Sequence, residues 1–259
     1  MSNPQVRPVI FHVDVNSAFL SWEAVYRLRH LGGTGDLREE LCAVGGDRQS
    51  RRGIILAKSQ SAKKFGVRTG ESILEARKKC PGLKLVPANY QLYRKSSEAF
   101  IRLLREYSPE VEQYSIDEAF VNMTGMEQLF GPPRQAAEAI RERIYRELGF
   151  TVNIGVSSNK LLAKMASDFK KPNLVHTLFP EEIEEKMWPL PVRELFFVGG
   201  ATERSLKRLG IHTIGDLARL DREAAASILG RQGCTLHDYA TGAEHSPVVP
   251  AREQPGPKS

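Results

Sequence analysis

The sequence predicts an α+β fold in which an antiparallel or mixed sheet of ferredoxin-like connectivity carries helices packed on one face. Three observations predict it. Val9-Ile10-Phe11-His12-Val13 is a continuous apolar run of strand type that ends at Asp14. Tyr114-Ser115-Ile116-Asp117-Glu118-Ala119-Phe120 sets two adjacent acids between strand formers, as a tight hairpin with acids at its turn does. Strand, helix, insertion, helix, hairpin, helix and strand then succeed one another, an order that puts Asp14 and Asp117-Glu118 on neighbouring strands.

In chain order, Ser17 is a candidate N-cap for a helix running through Trp22 and Tyr26 towards Leu31, stopped by Gly32-Gly33-Thr34-Gly35. Residues 41–46 and 53–58 read as a strand pair around a polar, basic turn, and Ser59 to Phe65 as a short helix. A helix from Glu71 to Lys79 breaks at Cys80-Pro81-Gly82, so residues 23–81 read as a small inserted domain. The chain returns through Leu83 to Val86 into a long helix with Tyr93, Phe100, Leu104 and Tyr107 on one face. After the hairpin, Ala136, Ile140, Ile144 and Leu148 recur every four residues on another helix, and Thr151 to Val156 is a strand. Short helices follow Pro172-Asn173, one beginning after Val198-Gly199-Gly200-Ala201 and closed by Gly210. From Gly242 to Ser259, Pro247, Pro250, Pro255 and Pro257 stand among polar residues that build no core and read as a linker.

Composition narrows the function classes. With 37 Lys and Arg against 31 Asp and Glu, the net charge of +6 suits a polyanionic partner. Cys42, Cys80 and Cys234 are far apart and outside any Cys-x-x-Cys spacing, which argues against a disulfide framework or a zinc site and for a reducing cytoplasm. Met1 to Pro8 lacks a signal peptide's apolar core, and no apolar run approaches the roughly 20 residues a membrane span needs.

The candidate chemistry lies in the acids. A carboxylate closing a buried strand is costly unless a cation meets it, and acids at a strand turn can hold one; an isolated Asp-Glu pair is more often a solvated turn. Between Arg51 and Gly70 stand Arg51, Arg52, Lys58, Lys63, Lys64 and Arg68 without an acid, either a solvated face or, beside a short helix, a phosphate cradle. Gly199 and Gly200 leave backbone N–H groups free for a phosphate, or simply turn the chain between packed helices. His12 is expected on the strand face opposite Asp14, in a structural role.

Six segments in order, Phe11-His12-Val13-Asp14, Ala62-Lys63-Lys64-Phe65-Gly66-Val67, Ser115-Ile116-Asp117-Glu118-Ala119-Phe120, Gly155-Val156-Ser157-Ser158-Asn159-Lys160, Lys171-Pro172-Asn173 and Val198-Gly199-Gly200, together resemble the Y-family translesion DNA polymerases, most closely their bacterial polymerase IV branch. The resemblance implies a ferredoxin-like palm (1–22 and 82–172), a fingers domain (23–81), a helical thumb with a helix-hairpin-helix-like motif (173–241), and a linker (242–259) at which a catalytic core is cut from its little finger domain. It implies low-fidelity, distributive addition of deoxynucleotides to a primer 3′ end on damaged or undamaged template, weakened further without the little finger. The expected setting is a cytoplasmic monomer of the SOS response, with primer-template DNA and deoxynucleoside triphosphates as partners and a sliding clamp recruiting the full-length protein.

Two Mg²⁺ ions, replaceable by Mn²⁺, are implied, with Asp14 and Asp117 bridging both, Glu118 on the ion nearer the primer end and the Val15 carbonyl as a further ligand. Phe19 matches the steric gate beneath the sugar C2′, and Gln60, Lys63 and Lys171 are expected at the triphosphate. Many members carry Tyr and Arg at the positions of Gln60 and Lys63, so an amide and a point charge here replace a phenol and a bidentate fork, and altered nucleotide affinity is expected. Gly199, Gly200 and Ala201 are expected at DNA, although Phe197 stands where the family more usually has glycine. Lys160 and Lys164, one turn apart, either face the DNA or are solvated. Two other functions fit in part: a two-metal nucleotidyl cyclase, against which Phe19 and the hairpin after residue 189 argue, and a non-catalytic DNA-binding relative, against which the three acids argue.

Overall fold

The computed structural model describes residues 7–46 and 53–250; the expected basic turn, with Arg51 and Arg52, and the tail beyond Pro250 lie outside the described residues. The chain opens with β1 (Ile10–Val15) and α1 (Ala18–His30). A small sheet follows, built from β2 (Cys42–Gly45) and β3 (Ile55–Lys58), with α2 (Gln60–Lys64) and α3 (Ile73–Lys79) capped by Ser59 and Ser72. Its third strand is β4 (Lys84–Val86), parallel to β2, so the inserted unit does not end at residue 81 as expected but runs to Val86. Helix α1 likewise continues unbroken across the expected boundary between residues 22 and 23. Ser17 occupies the cap position in a left-handed conformation (φ 47°) and makes no side-chain cap; the Ser21 hydroxyl instead donates to the Asn16 carbonyl at 2.6 Å.

The main sheet takes α4 (Tyr90–Leu104), β5 (Val111–Gln113), β6 (Glu118–Asn122), α5 (Glu127–Phe130), α6 (Pro133–Leu148), β7 (Val152–Ser157), α7 (Lys160–Asp168) and β8 (Val175–Thr177). Its order is β5-β6-β1-β7-β8, antiparallel as far as β7 and parallel from β7 to β8. The first strand therefore sits between the hairpin and the strand after α6, the ferredoxin-like connectivity predicted. Phe11, Val13 and Val15 enter the main core with Phe100, Ile140 and Ile144, while Ile10 joins Phe120, Ala163 and Val248 on the other side. A strand covered on both faces loses its alternation, which is why β1 reads as one apolar run.

Helices thus lie on both faces, not one. Helix α7 covers the second face at backbone contact, because a Cβ at Gly155 would stand 1.9 Å from the Ala163 carbonyl oxygen. Beyond it, α8 (Ile183–Lys186), α9 (Gly200–Arg208), α10 (Ile214–Ala218), α11 (Arg222–Leu229) and α12 (Arg231–Ala240) share a core with Leu161, Leu162 and Met165 of α7. Gly210 closes α9 at φ +80°, as predicted. The segment expected as a linker is held to the sheet at several of its described residues: Val248 is buried, the Val249 N–H donates to Glu112 at 2.9 Å, and the Asn159 amide donates to the Gly242 carbonyl at 2.9 Å. Among the described residues no helix is long and apolar enough to cross a membrane.

Candidate active site

Asp14 and Glu118 are direct partners across the β1–β6 ladder. The hairpin turn folds back over the end of β1, where the Val15 N–H donates to the Asp117 carbonyl at 3.0 Å and the Ser115 hydroxyl donates to the Asp117 carboxylate at 2.7 Å. Two distant segments thereby deliver three acids and the Val15 backbone to one end of the sheet. Asp14, Val15, Phe19, Asp117 and Lys171 line a cleft of about 280 Å³ whose far wall is Leu56 and Lys58 of β3 with Thr69 of the turn before α3. The half-buried Phe19 ring is stacked on Tyr93 (centroids 4.5 Å apart, planes 15° apart), and the Tyr93 hydroxyl donates to buried Glu23 at 3.1 Å. Phe19 is therefore backed by a fixed aromatic surface.

Two lysines meet two of the acids. Burial pushes the Asp14 carboxyl up to about 6 even though the Lys171 ammonium pairs with it. Lys171 also holds Asp168 at 2.8 Å; burial alone would lower its pKa, but the two carboxylates raise it. Its loop is pinned from below: the Asn173 N–H donates to the Asn16 side chain at 2.9 Å, and Asn153 donates to the Lys170 carbonyl at 2.6 Å. Burial would likewise raise the Glu118 carboxyl, but His12 and Lys164 outweigh it and hold the group down at about 2. The Lys164 ammonium is 2.9 Å from Glu118 and the His12 Nε2 3.5 Å. Burial lowers the pKa of His12 itself. His12 lies on the same face as Asp14, not the opposite one, since strand residues two apart share a face.

Among the described residues no group of three His, Cys, Asp or Glu side chains is gathered closely enough to hold a metal as it stands. Asp14 and Glu118 face ammonium groups instead. The donors nonetheless fit a hard divalent cation: carboxylate oxygens at one sheet end, one of them buried at the cost its raised pKa records, with an ammonium already standing as its cation.

The other expected residues are placed less uniformly. Gln60 and Lys63 are exposed on α2 and do not line the cleft; Lys58, two residues before Gln60, does, its ammonium donating to the Thr69 hydroxyl at 3.0 Å. Lys160 and Lys164 are neither solvated nor turned outward: Lys160 donates to both Glu112 oxygens at 2.7 and 2.8 Å, and Lys164 is buried. Gly199 is the N-cap of α9, with Gly200 and Ala201 in its first turn. Phe197, just before it, takes a left-handed backbone (φ 68°) with its exposed ring against Phe196. Asn16 and Asn153 are site residues that the sequence left unmarked, while His12 had only a structural role there, Lys58 only a place in the basic run and Lys164 only a DNA-facing or solvated one. Period-two alternation could have found His12; the others depend on long-range contacts.

The impB/mucB/samB family matches residues 13–168, and the IMS family HHH motif matches residues 180–211. The chain is similar to DNA polymerase IV of Clostridium acetobutylicum, 48% identical over 250 residues that cover 95% of this chain and 62% of that protein. It is 42% identical to DNA polymerase IV of Acetivibrio thermocellus, over 94% of this chain and 59% of the relative. Among solved structures it resembles DinB from Sulfolobus solfataricus (TM-score 0.81, 26% identity, 93% of this chain and 69% of that one) and an insertion ternary complex of Dbh DNA polymerase (TM-score 0.78, 26% identity, the same coverage). The chain spans about 60% of the length of these curated relatives.

Proposed function

The chain belongs to the impB/mucB/samB family, within the Y-family DNA polymerases, and from that premise we propose that it adds deoxynucleotides to a primer 3′ end under the direction of a template, damaged or undamaged. The observation that carries this reading is the register pairing of Asp14 with Glu118, with Asp117 folded over the end of β1 in a cleft that also holds Phe19 and Lys171. The five-stranded sheet is then the palm, the small sheet with α2 and α3 the fingers, and α8 to α12 the thumb.

In this reading Asp14, Asp117 and Glu118, with the Val15 carbonyl, hold two Mg²⁺ ions. When bound, such cations supply the nucleophile activation and charge neutralisation that in-line nucleotidyl transfer needs. Lys171 leaves Asp14 for the triphosphate, helped by Lys58 from the far wall and by Lys63 and Gln60, which reach it from their exposed positions on α2. Phe19, fixed by Tyr93, presses its ring under the sugar and excludes a 2′-hydroxyl. The N–H groups of Gly199, Gly200 and Ala201, at the start of α9, take a DNA phosphate. Lys160, committed to Glu112, has no part in this reading. The setting is the cytoplasm, with a sliding clamp as partner of the whole protein.

Primer extension on undamaged template tests the assignment. Extension is expected with Mg²⁺ and not with EDTA, and Asp117→Ala and Glu118→Ala should each lower it by 10³-fold or more, on the order of 4 kcal/mol of lost transition-state stabilisation. Parent-level extension by either variant would remove that acid from the site.

A further inference from the structure

Between the hairpin and the helical segment lies a second cleft, of about 170 Å³, lined by Tyr114, Phe120, Phe196, Phe197, Lys160 and Lys164. Aromatic faces beside cations are what a nucleic-acid strand stacks and neutralises itself on. The two lysines differ in what else they touch. Lys160 is bound by both oxygens of Glu112, away from the site acids. The Lys164 ammonium is 2.9 Å from Glu118 and 5.5 Å from the rings of both Tyr114 and Phe196, so it borders the cleft and a candidate-site acid at once. A carboxylate paired with an ammonium is a poorer ligand for a divalent cation, and an ammonium committed to a carboxylate is a poorer partner for a phosphate.

Resting on the polymerase reading above, we propose that Lys164 is a positioning residue that couples the primer strand to the cation site. In the DNA-free protein it holds Glu118. A primer phosphate entering the aromatic cleft draws the ammonium onto itself and releases Glu118 as a ligand. The exchange is one ion pair for another, with no change in total charge. By linkage, primer DNA must tighten cation binding by the same factor that cations tighten primer DNA.

The test is Mn²⁺ binding to the full chain, followed by the electron paramagnetic resonance of free Mn²⁺, with and without primer-template and without nucleotide. In the parent, primer-template should tighten Mn²⁺ by about 5-fold or more. Lys164→Met should bind Mn²⁺ more tightly than the parent when DNA is absent, and gain little when DNA is added. Lys160→Met, which removes the same charge one turn away, should keep the parent's coupling. Parent-like coupling in Lys164→Met, or an equal loss in Lys160→Met, would overturn the proposal.

If Lys164→Met does not fold, the isosteric Glu118→Gln reads the exchange from the other side. In EDTA it should bind primer-template more tightly than Asp117→Asn does, because only the first frees Lys164; equal gains would count against the exchange. Failure of the polymerase reading itself looks different: the parent would extend no primer, and Glu118→Gln would leave Mn²⁺ binding unaltered.

Discussion

A buried carboxylate at neutral pH is a debt of the fold, and Asp14 shows its sign. With its carboxyl raised from the ordinary 3.8 to about 6, the folded state takes up the proton more readily than the unfolded chain does. Stability from this group is therefore greatest below about pH 4, falls as pH rises through the 4–6 window, and is lowest above it. Asp14→Asn should accordingly raise the stability of the metal-free chain at pH 7.5. One pKa unit corresponds to about 1.4 kcal/mol, which sets a ceiling of about 3 kcal/mol, and the gain should vanish near pH 4; thermal melts at the two pH values measure it. The same variant should not extend a primer. Phe19→Ala should admit ribonucleotides, read as a rise in their incorporation efficiency of 10-fold or more, because the stacked Tyr93 leaves the gap open instead of filling it. At this scale the acids were legible, since apolar flanks made their positions anomalous. His12 was legible too, two residues from Asp14 on one strand, although the expectation placed it on the wrong face. Lys164 was not, because it reaches Glu118 from 46 residues away on a helix whose packing face depends on Gly155.

At the scale of elements, α7 and the turn before α9 carry the most local constraint. Gly155 has no room for a methyl group: the nearest obstacle is backbone, the Ala163 carbonyl oxygen, which cannot rotate away. Gly155→Ala should therefore push α7 off β1 and β7, destabilising the chain by roughly 3 kcal/mol or more and loosening Lys164 together with His12, whose Nδ1 is 2.7 Å from the Ser167 hydroxyl of α7. Chemical denaturation measures the loss, and a variant within 1 kcal/mol of the parent would contradict the close approach. At Phe197 the sign is reversed. A left-handed backbone costs a side-chain-bearing residue about 1–2 kcal/mol that glycine does not incur, and an exposed ring recovers little of it. Phe197→Gly is expected to leave stability unchanged or raise it by up to about 1 kcal/mol, once glycine's own backbone entropy is counted. The stop at Gly210 was readable here, but the starts were not: Ser59 and Ser72 cap helices without having been read as caps, and the candidate cap Ser17 makes no side-chain cap. The contact that makes Gly155 obligatory was not, because it joins a strand and a helix whose separation no local pattern encodes.

Over the whole molecule, connectivity was the readable part: the order of elements alone predicted β1 beside the hairpin, and with it the meeting of Asp14 and Glu118. Boundaries were less so. Lys84–Val86 finds its partner in β2, some 40 residues earlier, and nothing in three residues of strand says which of two sheets they join. The contacts of the last described residues were not legible for a related reason, since nothing in a proline-rich segment says that Glu112 waits on the sheet. That glutamate is a junction. It receives the Lys160 ammonium from α7 and the Val249 N–H from the tail, and Val248 fills the gap beside Phe120 and Ala163. Removing it takes the carboxylate away from a largely buried ammonium, which keeps only the Pro247 carbonyl and the Phe120 ring, and from the Val249 N–H at once, costing on the order of 2–4 kcal/mol. Glu112→Ala should therefore release residues 243–250 to protease well before the sheet itself opens. Limited proteolysis with mapped cleavage sites separates this from global unfolding: cuts confined to the segment after Gly242, with the fragment ending there still folded, are the expected outcome. Cuts spread through both sheets would show instead that Glu112 supports the core and not the tail.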